Sequence, residues 1–176
     1  MPSLQGKRDA STVTPQGESK QPLIDGVLVR RAVTHVDDRG TLTEIYDPAW
    51  GLSDQPLVYL YQSTLRPGKV KGWIQHHVQT DRLFVGAGFL RFVLYDDRPE
   101  SPTYRCINQI YISEQNRGII TIPSYVWHAV HNVGSSEALF MNLPTLPYNH
   151  ENPDKYRLPL DTDLIPFSFK AGEMGW

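Results

Sequence analysis

The chain has 176 residues, with 17 Lys and Arg against 19 Asp and Glu, and a formal charge of -2 at pH 7 with histidine neutral. That length suits one domain with its own core, and the balanced charge without a long Lys/Arg run argues against a nucleic-acid surface built on phosphate neutralisation. The single cysteine, Cys106, cannot form an intrachain disulfide, and no apolar run approaches the roughly 18 residues of a membrane span.

Residues 1–22 contain almost no apolar side chains and read as a flexible N-terminal arm that adds little to a core, although such an arm can also brace a partner subunit. The start lacks the apolar stretch of a signal peptide, which makes a cytoplasmic protein the expectation. From Leu23 onward, short runs rich in Val, Ile, Leu, Tyr and Phe alternate with clusters of Gly, Pro, Asp and Asn, the spacing of antiparallel β structure. Strands are expected over 26–32, 41–46, 57–65, 70–78, 82–85, 89–95, 104–112, 118–122, 127–132 and 138–143. Helical periodicity is nearly absent. Gly86-Ala87-Gly88 reads as a tight hairpin, because glycine supplies the positive φ such turns need. The run 89–95 carries large apolar groups on both faces, with Arg91 its only charge, as a central strand covered on both sides would. About ten strands in residues 23–169 make an all-β double-sheet jelly roll the expected architecture. After Leu143 the chain becomes an extended Pro-rich segment, through Pro144, Pro147, Pro153, Pro159 and Pro166, which reads as a lid or brace ahead of a tail over 170–176.

Five of the six histidines fall between residues 76 and 150, in or near the segments Lys71-Gly72-Trp73-Ile74-Gln75-His76-His77-Val78-Gln79-Thr80-Asp81 and Ile122-Pro123-Ser124-Tyr125-Val126-Trp127-His128-Ala129-Val130-His131-Asn132. Imidazole suits proton transfer and metal ligation near neutral pH. Two such segments on separate strands of one barrel can aim imidazoles and a carboxylate into a common cavity. His35, His131 and His150 read as hydrogen-bonding or surface residues, and Trp73 and Trp127 as core or rim packing.

Pro123, His128 and Asn132 keep the spacing of the second motif of the cupin superfamily, whose fold is a double-stranded β-helix jelly roll. Within it, the chain resembles the dTDP-4-dehydrorhamnose 3,5-epimerases from about Asp37 to Phe169. The resemblance is carried by Asp38-Arg39-Gly40-Thr41-Leu42-Thr43-Glu44, by Gly68 to Trp73, by Asp97 to Tyr104, and by Ile122-Pro123 through His128. It implies a cofactor-independent epimerase, a homodimer, acting on a small-molecule sugar nucleotide. Arg39 would bind the diphosphate and Glu44 would lie near the base; guanidinium forks suit phosphate oxygens. Lys71 stands where the family has arginine, and Tyr148 matches the family's tyrosine acid.

Two positions depart from the pattern. Ile74 occupies the place of the family's histidine base, and Asp81 that of its lysine, so the chain looks like a divergent subgroup bearing Gly-Trp-x-x-His-x-x-Gln-Thr-Asp. Side chains alternate along a strand, so His76 shares the face of Ile74 while His77 points the other way. His76 is therefore the first candidate for a displaced base and His77 the second, with Tyr148 as the opposite-face acid and Lys71 or His128 polarising the carbonyl. Two alternatives remain open. In cupin register Gln75, His77 and Asp81 take the first-motif ligand slots, so His77, Asp81 and His128 could hold a divalent transition metal. The barrel could also bind a sugar nucleotide without turning it over.

Overall fold

The computed structural model describes residues 8–16 and 19–169, so the expected tail over 170–176 lies outside the described residues. The described part of the arm is mostly exposed, with one isolated bridge between Val13 and Ser19, and burial begins at Ile24. Twelve strands follow among the described residues: β1 Leu28–Arg31, β2 Thr34–Asp37, β3 Gly40–Thr43, β4 Tyr61–Leu65, β5 Val70–Gln75, β6 Asp81–Ala87, β7 Phe89–Asp96, β8 Ile107–Ser113, β9 Gly118–Ile122, β10 Val126–Asn132, β11 Ala138–Asn142 and β12 Tyr156–Arg157. They form two five-stranded sheets, ordered β1-β9-β6-β11-β4 and β12-β5-β10-β7-β8, with β2 and β3 as a separate ribbon. The fold is the expected all-β jelly roll. No helix among the described residues is long and apolar enough to cross a membrane.

The alternation of each strand divides the apolar residues between three layers. Leu83, Val85, Ile120, Ile122 and Phe140 from one sheet meet Leu90, Phe92, Leu94, Ile112, Val126 and Val130 from the other, forming the central core. The odd-numbered Val93 and Tyr95 of β7 face outward, where they pack with Trp73, Ala129 and Ile165 beneath Leu158, Phe167 and Phe169. The Pro-rich segment thus braces the outer face of the second sheet, and β7 is covered on both sides. Arg91 joins this outer layer: its guanidinium donates to His131 Nδ1 at 2.9 Å and lies 5.4 Å from the Phe167 ring. A third cluster, with Leu52, Phe84, Ile119 and Leu143 at its centre, covers the outer face of the first sheet.

Several boundaries differ from expectation. Gly86-Ala87-Gly88 is not a hairpin, because β6 and β7 lie in different sheets and the chain crosses between them at Gly88. Gly88 has φ +81, and a Cβ there would come within 2.6 Å of Ala138; the expected positive φ is present at this glycine, but a crossover uses it as readily as a turn. The expected strand 57–65 forms only from Tyr61. The expected 104–112 starts at Ile107, because the Asp96 carboxylate accepts from Arg98, Ser101 and Thr103 and winds the preceding residues into turns. The β2 strand and the short β12 had no sequence signal strong enough to place them.

Candidate active site

Beyond β5 the backbone turns away from the sheet and is held from outside by one side chain. The Asp154 carboxylate accepts the backbone N–H groups of His77, Val78 and Gln79 at 2.8, 2.8 and 2.9 Å. Burial alone would raise this carboxyl, but those three donors and the nearby His76 hold its pKa below the usual value. A few residues along the turn, Thr80 N–H donates to Thr145 Oγ1 at 2.9 Å. On the other flank the fully buried Arg82 donates to the Leu143 and Pro144 carbonyls, fixing where the Pro-rich segment leaves β11.

This scaffold separates the adjacent histidines. The His76 ring lies 5.6 Å from that of His128, whereas His77 stacks between Tyr156, at 3.6 Å, and Tyr125, at 4.5 Å. Both His76 Nε2 and His128 Nε2 approach the same oxygen, Asp81 Oδ2, at 3.3 and 3.4 Å. All three are buried, with 8, 3 and 4 % of His76, Asp81 and His128 exposed. The other Asp81 oxygen accepts from Gln79 Nε2 at 2.8 Å and from Asn142 Nδ2 at 3.0 Å. Asn142 also donates to the Tyr61 hydroxyl at 2.9 Å, which leaves the Tyr61 proton for another acceptor.

The far side of each imidazole settles its tautomer. His76 Nδ1 meets the Asp154 carbonyl and His128 Nδ1 lies 3.2 Å from the Val126 carbonyl. A carbonyl only accepts, so each Nδ1 keeps its proton; ionised Asp81 also only accepts, so each Nε2 bonds it when protonated and is the nitrogen that exchanges a proton. Burial would lower the His76 pKa, but the hydrogen bond and charge of Asp81, with the Asp154 carbonyl, outweigh it and raise it. Burial likewise opposes Asp81 ionisation, and the two histidines overcome that and hold the carboxyl far below its ordinary range.

Above this group opens a cavity of about 650 Å³ whose walls include Tyr59, Tyr61, His76, Gln79, Tyr148 and Lys155. Tyr61 is raised by burial and by the Asp81 charge. Of the residues singled out from sequence, His76, His77 and Tyr148 line the cavity; His128 and Asp81 lie beneath it. Lys71 stands aside, its Nζ donating to Ser63 Oγ at 2.8 Å. Arg39 and Glu44 are exposed and do not line this chain's cavity; the Arg39 side chain is 84 % exposed and paired with Asp37. The ligand set His77, Asp81 and His128 is not assembled, because His77 points into its tyrosine stack and bonds Gln75. Among the described residues, the group that could hold a metal is His76, Asp81 and His128, whose ligand atoms lie within 4.8 Å of one another.

Sequence reasoning missed Tyr61, Asn142, Asp154 and Lys155. Tyr61 and Ser63 had a signal in the alternation of β4, since they share the inward face of Leu65. Asp154 and Lys155 had none.

Comparison with known proteins agrees with this architecture. Residues 21–164 match the sequence model of the family described as dTDP-4-dehydrorhamnose 3,5-epimerase. The probable low-salt glycan biosynthesis epimerase Agl13 of Haloferax volcanii is 34% identical over 151 residues, covering 85% of this chain and 97% of that protein. The spore coat polysaccharide biosynthesis protein SpsL of Bacillus subtilis is 31% identical over 149 residues, covering 85% and 98%. The crystal structure of a dTDP sugar isomerase from Desulfovibrio desulfuricans superposes with a TM-score of 0.77 at 26% identity, covering 83% of this chain and 92% of that one.

Proposed function

The chain belongs to the dTDP-4-dehydrorhamnose 3,5-epimerase family, and from its site we propose that it inverts C3, C5 or both of a nucleotide-linked 4-keto-6-deoxy sugar with His76 as the base. It is a sugar-nucleotide epimerase, an isomerase by class. The observation that carries the assignment of the base is the His76–Asp81 pair at the floor of the cavity, with Nδ1 tied back and Nε2 exchangeable. A C–H bond beside the C4 carbonyl is acidified; Nε2 takes that proton, and Asp81 stabilises the imidazolium that results. The electron pair moves into the C–C bond and leaves the charge on the C4 oxygen. The hydroxyl of Tyr148, carried by the Pro-rich segment in the wall of the same cavity, returns a proton to the other face of the carbon. Solvent then reprotonates the tyrosinate and takes the proton from His76.

We assign the nucleotide grip to Arg39 and Glu44 of a second copy in a homodimer. Neither lines its own cavity, and the β2–β3 ribbon around them exposes Val33, Val36 and Leu42, apolar surface that a partner would cover. A cytoplasmic location completes this reading.

Incubation with a dTDP-4-keto-6-deoxy sugar in D₂O, followed by NMR, tests the chemistry. The C3 or C5 proton signal is expected to disappear. Retention of both protons with the nucleotide sugar bound would refute epimerisation and leave a binding protein. A second reading is favoured by one feature: the fixed Nδ1–H tautomers aim two Nε2 atoms at one carboxylate oxygen, as metal ligands held by carbonyls are aimed. Exchange that survives EDTA dialysis supports the metal-free route; exchange lost and restored by a transition metal moves the assignment to His76, Asp81 and His128 as ligands.

A further inference from the structure

Moving negative charge onto a carbonyl oxygen calls for a cation or a strong donor at that oxygen, and such groups often supply the largest single share of the rate. Where the family carries a lysine this chain has Asp81, already committed to two imidazoles. Lys71 is turned to Ser63, and His128 lies under Asp81 and away from the cavity walls. Of the described residues that line the cavity, one is a lysine or arginine: Lys155.

Its backbone is fixed on both sides. The preceding Asp154 clamps the 77–79 turn and meets His76 Nδ1, while the following Tyr156 and Arg157 pair with Gln75 and Ile74 of β5. Lys155 N–H itself donates to the Pro153 carbonyl at 2.8 Å. The side chain is half-buried, and among the described residues its ammonium makes no hydrogen bond or ion pair. Burial, with Arg157 and Lys71 nearby, lowers its pKa, while Asp81 opposes that shift. Among the described residues Lys155 is therefore a partly desolvated cation without a hydrogen-bonded or ion-paired partner, just ahead of the anchored β12 and lining the same cavity as the proposed base.

We propose that Lys155 is the catalytic cation of this enzyme, its ammonium donating a hydrogen bond to the C4 oxygen of the bound 4-keto sugar as that oxygen becomes an enolate. The assignment rests on the epimerase reading above. No net proton transfer to or from Lys155 is involved. His76 holds the proton taken from carbon, the C4 oxygen carries the displaced charge while Lys155 neutralises it, and on reprotonation at carbon the carbonyl and the free ammonium are restored. The cation lost from β6 has thus been replaced from a part of the chain some seventy residues later, by a segment that must cross the cavity mouth to brace the sheet.

The test compares full-length wild type with Lys155→Met, Lys155→Arg and Lys155→Ala by proton exchange from a dTDP-4-keto-6-deoxy sugar in D₂O, with dTDP affinity measured by calorimetry. Lys155→Met is expected to lower the exchange rate at saturation by about 10²–10³-fold while dTDP affinity stays within about three-fold. Lys155→Arg should recover part of the loss. Added ethylamine should raise the rate of Lys155→Ala in a concentration-dependent way, a response that a role confined to folding would not give. A Lys155→Met rate within about three-fold of wild type would overturn the proposal, as would an unchanged rate with weakened dTDP binding, which would make Lys155 a phosphate contact. If the wild type exchanges neither proton, the epimerase reading falls and takes this proposal with it; if only the Lys155 comparison fails, the reading stands.

Discussion

Replacing Asp81 with asparagine tests the proposed proton chemistry with little disturbance to the fold. Asp81 Oδ1 accepts from Gln79 and Asn142, and an asparagine carbonyl can take both bonds. The amide nitrogen would then stand where Oδ2 stood, 3.3 Å from His76 Nε2 and 3.4 Å from His128 Nε2. Its two N–H groups match two Nε2 lone pairs, because both imidazoles carry their proton on Nδ1. Asp81→Asn should therefore fold, with a stability change of no more than about 2 kcal/mol. The chemistry should not survive. A unit charge pair at 4 Å interacts by about 4 kcal/mol at an effective dielectric near 20, and losing that attraction lowers the His76 pKa and removes the group that stabilises the imidazolium. Proton exchange should fall by about 10²–10⁴-fold. The acid limb of the rate profile, which reports protonation of His76, should also move to lower pH in whatever activity remains. The assay is deuterium exchange by NMR between about pH 5 and 9, with a histidine Cε1–H titration on the same samples. An Asp81→Asn rate within about three-fold of wild type, or an acid limb that does not move, would refute the reasoning.

The two neighbouring histidines should separate cleanly: His76→Ala loses exchange by about 10²–10⁴-fold, while His77→Phe, which keeps an aromatic ring between Tyr156 and Tyr125, stays within about three-fold. Equal losses at both positions would contradict the placement of the base. Asp154→Ala strips the acceptor from three backbone N–H groups and should cost about 2–4 kcal/mol in urea unfolding, with exchange reduced as the His76 contact loosens; an unchanged midpoint would argue against the clamp. Stability should depend on pH in two directions. Asp81, Asp96 and Asp154 have folded pKa values below the ordinary 3.8, so their contribution is present above it and is lost as pH falls through their folded values. His76 is raised above 6.5, so its contribution is present below 6.5 and is lost as pH rises through its folded value. Urea midpoints across pH should show both slopes, and Asp81→Asn should flatten the upper one.

The jelly roll was legible because its strands are short, apolar and regularly punctuated. The preference for His76 over His77 came from strand alternation joined to the resemblance that places the family's base at Ile74, and both histidines lie just beyond the end of β5. What Asp81 does was not legible: as a single position it reads as a lost lysine or a metal slot. Its partners are brought to it by a turn after β5 and by the middle of β10, which no local pattern connects. Gly88 shows the same limit, since glycine signals the positive φ but not the change of sheet it serves. Arg39 and Glu44 were singled out by resemblance, yet a single chain leaves them outside the cavity. Asp154 and Lys155 stand in a polar, proline-punctuated stretch with no period to read. Their position depends on pairing with β5 across about eighty residues of chain, and non-local pairing is what a sequence discloses least.

That stretch links the stability of the fold to the geometry of the site. Prolines suit a segment that must cross a surface without joining a sheet, because they lack an N–H and hold φ near a single value. Its end is anchored where Ile165, Phe167 and Phe169 pack around Trp73, on the outer face of the strand whose end carries His76. Its start is anchored by Arg82, in the strand that begins with Asp81. Between those anchors hang Tyr148, Asp154 and Lys155, so the proposed acid, the clamp on the turn after His76 and the proposed cation share one support. A substitution that loosens the Trp73 layer therefore acts on all three at once. Its effect on proton exchange should exceed its effect on global stability, because the segment can lift from the cavity mouth while the central core, closed by Phe92, Leu94, Ile120 and Val126, stays packed.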